Sequence, residues 1–441
     1  MGEPGGDGMN GGANQEEQLA SLAVVLPLAL AGFSVSAACW TLFAVAGVQL
    51  RTELNLSSLQ FGLLLAMPMA VSALLAIPAG LAARRVGARR VMLACLAGLS
   101  LCMGLLLMTT TFTGYLAVAG GLGLAGGFYS AGLQFVTSHC KPERLGLALG
   151  VFGAGVMGAG LNYYLVPLLH EAFSWRGVPL VYLIVLLLVM ALLMMLTDDR
   201  DANTEPSLLA DGGRRIGGLA RWRAWHLCGY FGVLAGGFFA LALWLPEFLS
   251  GQFGLRMASA ANLALWFVVP GALAQVVGGA LSDRYGSVRV VTRSLLVGLL
   301  ALVVLSYPPM TLRVHGVASG LELEFALALG SETAFVVMLG VAMGCAIGSL
   351  QRMVIIRNRD RAALMAGLLL VSACSVAFLL PVLFGAVNQW LGVRSAMFMI
   401  LFLLMSVCLV LFARANRREE RQRLLHPGIQ SPYPLGGRGG L

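Results

Sequence analysis

Long runs of apolar residues alternate with short polar connections along almost the entire chain of 441 residues. A helix needs about 20 mostly apolar residues to cross a lipid bilayer. On that criterion the sequence predicts twelve membrane spans, numbered here in chain order: 22–48, 58–82, 91–111, 114–138, 145–169, 178–196, 226–250, 258–281, 294–311, 334–356, 363–388 and 395–413. The predicted fold class is therefore an all-α integral membrane protein.

The composition excludes a water-soluble domain. Hydrophobic residues make up 59% of the chain and charged residues only 11%, against roughly 25% charged in soluble domains. The net charge of +9 does not indicate a nucleic-acid partner, because the basic residues occur in short clusters between the apolar runs. The eight cysteines lack metal-ligand spacing and the five histidines are scattered, so we expect no metal, no cofactor and no enzyme active site.

Lysine and arginine are distributed unequally between the two sets of connections. Leaving Arg352 aside, 23 of them follow even-numbered spans and 5 follow odd-numbered spans. Since cytoplasmic connections are enriched in basic residues, the even-numbered connections and both termini are predicted to be cytoplasmic. Residues 1–20 lack the basic segment of a cleavable signal peptide, so span 1 is expected to stay in the protein.

An internal repeat divides the chain into two halves of six spans. GLAARRVG at 80–87 recurs as GALSDRYG at 279–286, 199 residues later, each at the end of the second span of its half. Two parallel repeats with a binding site between them are a common transporter plan. The predicted division is a polar tail at 1–21, an N-terminal half at 22–196, a linker at 197–225, a C-terminal half at 226–413 and a basic tail at 414–441, whose composition predicts disorder. For the connection near 312–333, an extra interfacial helix and an inserted segment both remain open.

The repeated segment resembles a known family. Its second copy, Gly279-x-x-x-Asp283-Arg284-x-Gly286, is similar to the loop motif of the major facilitator superfamily, whereas its first copy has Arg84 in place of the acid. Six stretches in both halves resemble the nitrate/nitrite porter family within that superfamily: WTLFAVAGVQL (40–50), SLQFGLLLAMP (58–68), KPERLGLALGVFGAG (141–155), GGFFALALWLPEFL (236–249), PGALAQVVGGALSDRYG (270–286) and GSLQRM (348–353). Their order and spacing extend the resemblance over nearly the whole chain.

The resemblance implies the major facilitator fold, with two pseudo-symmetric six-helix halves, and an inner-membrane carrier of a small anion such as nitrate or nitrite that works by alternating access. That family holds its anion with one arginine from each half, an aromatic residue and glycine-rich helices. Here the arginine positions are Ala76 and Gln275, which are also equivalent in the repeat, and an asparagine position in span 5 is Val156. Phe238 keeps the aromatic position. The frame of the family is present, but the charges of its anion site are absent.

Other polar and small residues inside the spans are candidates for the substrate path. Gln275 and Gln134 could each form a helix–helix hydrogen bond or contact a substrate. Asn162 could supply a displaced polar contact, although a bond to a neighbouring helix is the favoured interpretation. Gly155 and Gly158 lie on the same face of span 5 as Asn162, and a tight helix contact is favoured there over a wall of the path.

Charged residues near the cytoplasmic ends of the spans are candidates for gating. Arg352 is interpreted mainly as an interfacial anchor, because long basic side chains extend to the membrane surface, with an anion ligand or an inner-gate latch as the alternative. Asp283 and Arg284 are expected to pair with groups on neighbouring helix ends and to hold one gate closed. Arg84 in the mirror position lacks such an acid, so we expect the two halves to be latched unequally.

The leading functional hypothesis is a secondary transporter of the nitrate/nitrite porter type, a monomer in the lipid bilayer whose partner is a small molecule or ion. Loss of both arginines favours, as an alternative, a same-fold carrier of an organic, zwitterionic or neutral solute. A membrane-embedded enzyme and a non-transporting receptor are less well supported. No span centre carries an acidic residue, so a buried carboxylate proton relay is not expected.

Overall fold

The computed structural model describes residues 7–45, 50, 54–56, 58–197, 222–307, 310–315, 320–325, 327–358, 361–391 and 393–425. Its helices are Asp7–Trp40, Ser58–Val86, Ala88–Met108, Phe112–Leu122, Leu124–His139, Leu145–Gly153, Met157–Leu196, Trp222–Phe231, Gly237–Phe253, Met257–Tyr285, Ser287–Leu305, Leu329–Arg357, Ala362–Leu391 and Ala396–Leu425. Short 3-10 segments at Pro142–Arg144 and Ala154–Val156 and a π-helix at Gly232–Gly236 connect some of them.

Twelve helical stretches in the described residues are long and apolar enough to cross a membrane, which confirms the predicted number of spans. Each of them overlaps one predicted span, and the span numbers are kept. Span 9 ends at Leu305, although the hydrophobicity extended it to residue 311. Most of the predicted linker, residues 198–221, lies outside the described residues.

The repeated segment ends in a one-residue turn in both halves. Gly87 has φ 105° and Gly286 has φ 84°, and each separates two consecutive helices. A positive φ is costly for residues that carry a Cβ, so glycine suits this reversal. The two glycines occupy equivalent positions of the repeat, which shows that the internal sequence symmetry extends to the backbone.

The two halves meet through equivalent pairs of spans. Span 2 packs against span 11, and span 5 packs against span 8. Because spans 2 and 8 are equivalent in the repeat, as are spans 5 and 11, the two contacts are related by the pseudo-symmetry. Consecutive spans run in opposite directions, so the connections that follow even-numbered spans share one face of the molecule, here named the basic face.

Glycines in span 5 bring helices into backbone contact. A Cβ on Gly158 would collide with the carbonyl oxygen of Ser34 in span 1, and one on Gly160 would lie 2.7 Å from the side chain of Val268 in span 8. In a bilayer, helices associate through such close packing rather than through the hydrophobic effect. Span 5 therefore contacts both halves because its side chains are small.

The connection between spans 9 and 10 contains a β-hairpin. Strand β1, Met310–His315, pairs antiparallel with β2, Gly320–Phe325, with Met310 opposite Phe325 and His315 opposite Gly320. Both strands alternate apolar and polar residues, the period-two pattern of a strand. Within its described part, the segment is therefore not the interfacial helix that the sequence left open; residues 316–319 lie outside the description.

The last helix runs on beyond the membrane span. It covers Ala396–Leu425, so the first part of the tail, 414–425, is helical where the composition predicted disorder. Arg357 at the end of span 10 donates to both carboxylate oxygens of Glu419, at 3.2 and 3.1 Å. A bidentate ion pair of this kind helps to hold the helical extension against span 10.

Replacing Gly158 by alanine should destabilise the protein, because the added Cβ overlaps a carbonyl oxygen of span 1. Overpacking of this kind costs about 1–3 kcal/mol. Thermal unfolding in detergent should show a lower melting temperature for Gly158→Ala. The matched control is Gly104→Ala in span 3, where nothing lies within 4 Å of the new Cβ. That variant should melt at or above the wild-type temperature, because alanine is the better helix former; equal melting of the two variants would contradict the packing argument.

Candidate functional site

A cavity lies between the two halves, with about 410 Å³ of empty volume. It is lined by spans 1, 4 and 5 from one half and spans 7, 8, 10 and 11 from the other: Phe33, Trp40, Tyr129, Gly153, Val156, Phe231, Ala235, Phe238, Phe239, Gln275, Ile347, Leu370 and Ala373. No lining residue carries a formal charge. The cavity wall is therefore largely apolar.

Aromatic rings form much of the cavity wall. Trp40 and Phe239 meet edge-to-face across the two halves, with ring centroids 5.6 Å apart. Phe238 stacks on Phe267 at 4.7 Å, and Phe33 packs against Tyr129 at 5.1 Å. Such rings have electron-rich faces and electropositive edges. The walls can therefore contact a polar solute through ring edges.

Trp40 is fixed by a buried hydrogen-bond chain. Its indole Nε1 donates to the hydroxyl oxygen of Ser72 at 2.7 Å, and that hydroxyl donates to the carbonyl oxygen of Gly123 at 2.9 Å. A buried N–H group needs such a partner, because an unpaired one costs about 1–3 kcal/mol. Spans 2 and 4 therefore determine the orientation of this cavity-lining ring.

Gln275 supplies the amide of the cavity wall, at a point where three helices meet. A Cβ on Gly150 would lie 2.5 Å from its backbone oxygen, and a Cβ on Gly348 would collide with the same atom. Its side-chain oxygen lies against the Cβ position of Gly153. The side chain makes no helix–helix hydrogen bond in the described part of the chain. Its amide therefore faces the cavity.

The structure places three of the proposed path residues at the cavity, namely Val156, Phe238 and Gln275. Ala76 is fully buried in the contact between spans 2 and 11, where its carbonyl oxygen lies 2.9 Å from the Cβ position of Gly367. The former arginine position of the N-terminal half thus faces the neighbouring helix and does not line the cavity.

The remaining proposed path residues in spans 4 and 5 lie away from the cavity. Gly155 packs against Phe33, and Gly158 against the backbone of span 1. The Asn162 amide donates to the hydroxyl oxygen of Thr41 at 2.9 Å and to a carbonyl oxygen of span 1, and it accepts from Tyr182. These contacts hold spans 1, 5 and 6 together. Gln134 lies in span 4, and its buried side-chain oxygen has no hydrogen-bond partner among the described residues.

A charged cluster joins the halves at the basic face. The Asp283 carboxylate accepts hydrogen bonds from the backbone N–H groups of Gly146, at 3.0 Å, and Leu147, at 2.9 Å. These N–H groups belong to the first turn of the helix Leu145–Gly153 in span 5. The N–H groups of a first turn have no hydrogen-bond acceptor within their own helix. Arg352 donates from Nε to the same carboxylate at 2.5 Å and from Nη1 to Ser287 at 3.3 Å. We name Asp283, Arg352 and the two N–H groups the latch.

Within the described residues, the mirror position in the first half has no such latch. A Cβ on Gly80 would lie 2.5 Å from the carbonyl oxygen of Ala363, so span 2 abuts the first turn of span 11 as span 8 abuts span 5. Arg84, at the position equivalent to Asp283, is exposed, and a positive charge is unfavourable at a helix N-terminus. Arg284 is exposed as well and makes no ion pair within the described residues.

Sequence reasoning did not select several residues at this site. Apart from Phe238, the apolar lining residues of spans 1, 4, 7, 10 and 11 resemble any other membrane-facing residue in the sequence. Gln351 in span 10 was also missed, although an amide inside an apolar run is a detectable signal. The sequence pointed to its neighbour Arg352 instead.

Comparison with known proteins gives a consistent family assignment. A family model described as Major Facilitator Superfamily matches residues 28–356. A probable nitrate/nitrite antiporter, NarK1, of Thermus thermophilus is 28% identical, over 87% of this chain and 89% of its own length. A nitrite extrusion protein of Bacillus subtilis is 27% identical, over 84% and 88%. Among solved structures, the transporter FucP in an outward conformation superposes with a TM-score of 0.68 at 17% identity, covering 89% of this chain and 99% of FucP.

Removing the Ser72 hydroxyl should weaken the cavity wall. In Ser72→Ala the buried indole N–H of Trp40 loses its acceptor, and the expected loss of stability is about 1–3 kcal/mol. Thermal unfolding and tryptophan fluorescence measure the effect. The control is Ser375→Ala, whose exposed hydroxyl donates only to its own helix at Val371. Equal melting temperatures for the two variants would show that Ser72 does not hold the indole.

Proposed function

The chain belongs to the Major Facilitator Superfamily, and from that membership we propose that it is a secondary transporter that carries nitrate or nitrite across the bacterial inner membrane by alternating access. The cavity between two pseudo-symmetric halves carries this proposal, since a transporter of this plan binds its solute between the repeats. The relatives named as nitrate/nitrite antiporter and nitrite extrusion protein support the choice of solute.

The proposed orientation has the basic face in the cytoplasm. The excess of lysine and arginine in the connections after even-numbered spans supports it, because such residues are retained on the cytoplasmic side. Both termini then lie in the cytoplasm. The latch lies at this face, so its closure separates the cavity from the cytoplasm.

A monovalent anion in this cavity has to be stabilised without an arginine. Desolvation of an ion is costly unless hydrogen bonds or opposite charges offset it. The Gln275 amide N–H groups can donate to an anion, the Tyr129 hydroxyl is a second donor, and the edges of the aromatic rings are electropositive. Nitrate and nitrite spread one charge over several oxygens, and this diffuse charge suits a set of weak donors.

A carrier of a neutral or zwitterionic organic solute is the second candidate. The absence of formal charge among the lining residues favours it, and the predominance of aromatic rings suits an organic group. The fold is common to both candidates. Binding measurements at the Gln275 position distinguish them.

We expect nitrate or nitrite to raise the melting temperature of the detergent-purified wild type, and Gln275→Arg to bind the same anions more tightly. An arginine in the cavity restores the missing positive charge, and hydrogen bonds to charged groups contribute about 1.5–3 kcal/mol, or roughly ten- to a hundredfold in affinity. Thermal shift over a wide anion range, followed by uptake into proteoliposomes, tests this.

The control at the same position is Gln275→Leu, which should lose the response because it removes the amide at similar volume. If nitrate and nitrite stabilise Gln275→Arg but not the wild type, the fold of the nitrate/nitrite porters is retained and the transported solute has changed. If neither anion changes the melting temperature of the wild type or of any variant, the anion proposal is contradicted and the organic solute is favoured.

Breaking the latch should favour the state open to the cytoplasm. Asp283→Asn removes the charge that Arg352 pairs with and weakens the cap on span 5. Since hydrogen bonds to charged groups contribute about 1.5–3 kcal/mol, the ratio of the two states should change about tenfold or more. Distances between spin labels on the basic face and rates of counterflow report this change.

The control for this experiment is Glu419→Gln, which breaks an ion pair on the same face that lies within the C-terminal half. It should leave the state ratio unchanged. The reverse variant Arg84→Asp places an acid beside the first turn of span 11 and should favour the closed state. Unaltered distances and rates in Asp283→Asn would show that the cluster does not act as a gate.

A further inference from the structure

Gln351 is a fully buried amide with no hydrogen-bond partner for either its nitrogen or its oxygen among the described residues. It lies in span 10, between Leu350 and Arg352 of the latch. Buried polar groups in folded proteins are nearly always paired, and an exception calls for a physical explanation. A side chain that serves only to hold helices together would bond a neighbouring helix, as the amide of Asn162 does.

The position of this amide connects it with the cavity. Its oxygen lies 3.2 Å from the point that a Cβ of Gly153 would occupy, and the side-chain oxygen of Gln275 lies against the same point. Gly153 and Gln275 line the cavity, as does Ile347, one helical turn before Gln351 in span 10. Gln351 is not itself a lining residue; it lies directly behind these lining residues, on the side of the basic face.

Gly153 keeps this arrangement open. A Cβ at that position would meet the oxygen atoms of both amides, so the two side chains would have to move apart from this point of span 5. The next residue of span 10, Arg352, is bound to Asp283. The two amides thus lie between the cavity and the latch.

We propose that Gln351 and Gln275 form an amide pair that binds the transported solute beside Gly153. This inference rests on the proposed function and extends it, because it adds the second polar ligand and a position along the path. The oxygens of both amides lie nearest Gly153 in this structure. Rotation about the last side-chain bond exchanges each oxygen for the NH₂ group, and the N–H groups of the pair then suit a small solute with acceptor oxygens, nitrate or nitrite in the proposed function. Gln351 is the contact on the cytoplasmic side, and opening of the latch exposes it.

In the solute-free protein the buried amide of Gln351 is desolvated without a hydrogen-bond partner, which lowers the free energy of unfolding relative to an apolar side chain of the same size. Methionine has a similar volume and no polar group to desolvate. Gln351→Met should therefore raise the melting temperature of the solute-free protein while weakening solute binding. A purely structural amide predicts the opposite sign for the melting temperature, so the two roles are separable in one variant.

The experiment compares wild type, Gln351→Met, Gln351→Glu and the control Gln252→Met, an amide near the outer end of span 7. Thermal unfolding is recorded without solute and with nitrate or nitrite, and KM is measured for uptake into proteoliposomes. For Gln351→Met we expect a higher melting temperature without solute, a smaller anion shift and a KM raised about tenfold, the effect of losing one good hydrogen bond. Gln351→Glu should bind these anions still more weakly because it adds a negative charge, and Gln252→Met should resemble wild type.

An unchanged KM and anion shift in Gln351→Met would overturn the proposal, as would a lower melting temperature of its solute-free form. If the wild type neither binds nor transports nitrate or nitrite, the proposed function fails independently. The melting temperature of the solute-free Gln351→Met then decides the role of the amide. An increase supports a ligand group for another polar solute, and a decrease assigns Gln351 to structure.

Discussion

Backbone-to-backbone packing where spans 5, 8 and 10 meet is the constraint on which the site depends. In a bilayer the lipid is as apolar as the helices, so association relies on close fit and hydrogen bonds. Glycines at 146, 150, 279 and 348 place these helices at the closest approach that backbones allow. Only at that distance can Asp283 reach the N–H groups of span 5 and can two amides approach Gly153. A single larger side chain here would disturb the packing, the latch and the binding site together.

The uncharged cavity has an electrical consequence. Its lining residues carry no formal charge, so reorientation of the empty protein moves none of their charge across the membrane potential. Moving one elementary charge through 100 mV corresponds to about 2.3 kcal/mol. In the proposed function, reorientation of the solute-bound protein would depend on the membrane potential, because it moves the negative charge of the bound anion across the membrane. The charged groups of the latch lie near one face and contribute little to such a movement.

The sequence predicted the number of spans and the two halves, because each depends on long apolar runs or on the repeat at 80–87 and 279–286. It did not predict which face of each span meets the cavity. Helices that are apolar all round carry no pattern that separates lipid from interior. The ion pair between Asp283 and Arg352 was only partly anticipated, since the favoured interpretation placed the arginine at the membrane surface. The sequence shows Gln351 as an amide inside an apolar run, but its lack of a hydrogen-bond partner is visible only in three dimensions.

The π-helix at Gly232–Gly236 gives span 7 a property that an α-helix lacks. It holds one more residue per turn than an α-helical segment would, and one residue corresponds to a rotation of about 100°. The rings of Phe238 and Phe239 follow it directly, while Gly232 and Gly236 pack against the backbone of span 11. Loss of one residue here would leave a continuous helix and turn the aromatic wall away from its present direction. Insertion and deletion at this point therefore offer evolution a way to alter the selectivity of the cavity while the other spans keep their packing.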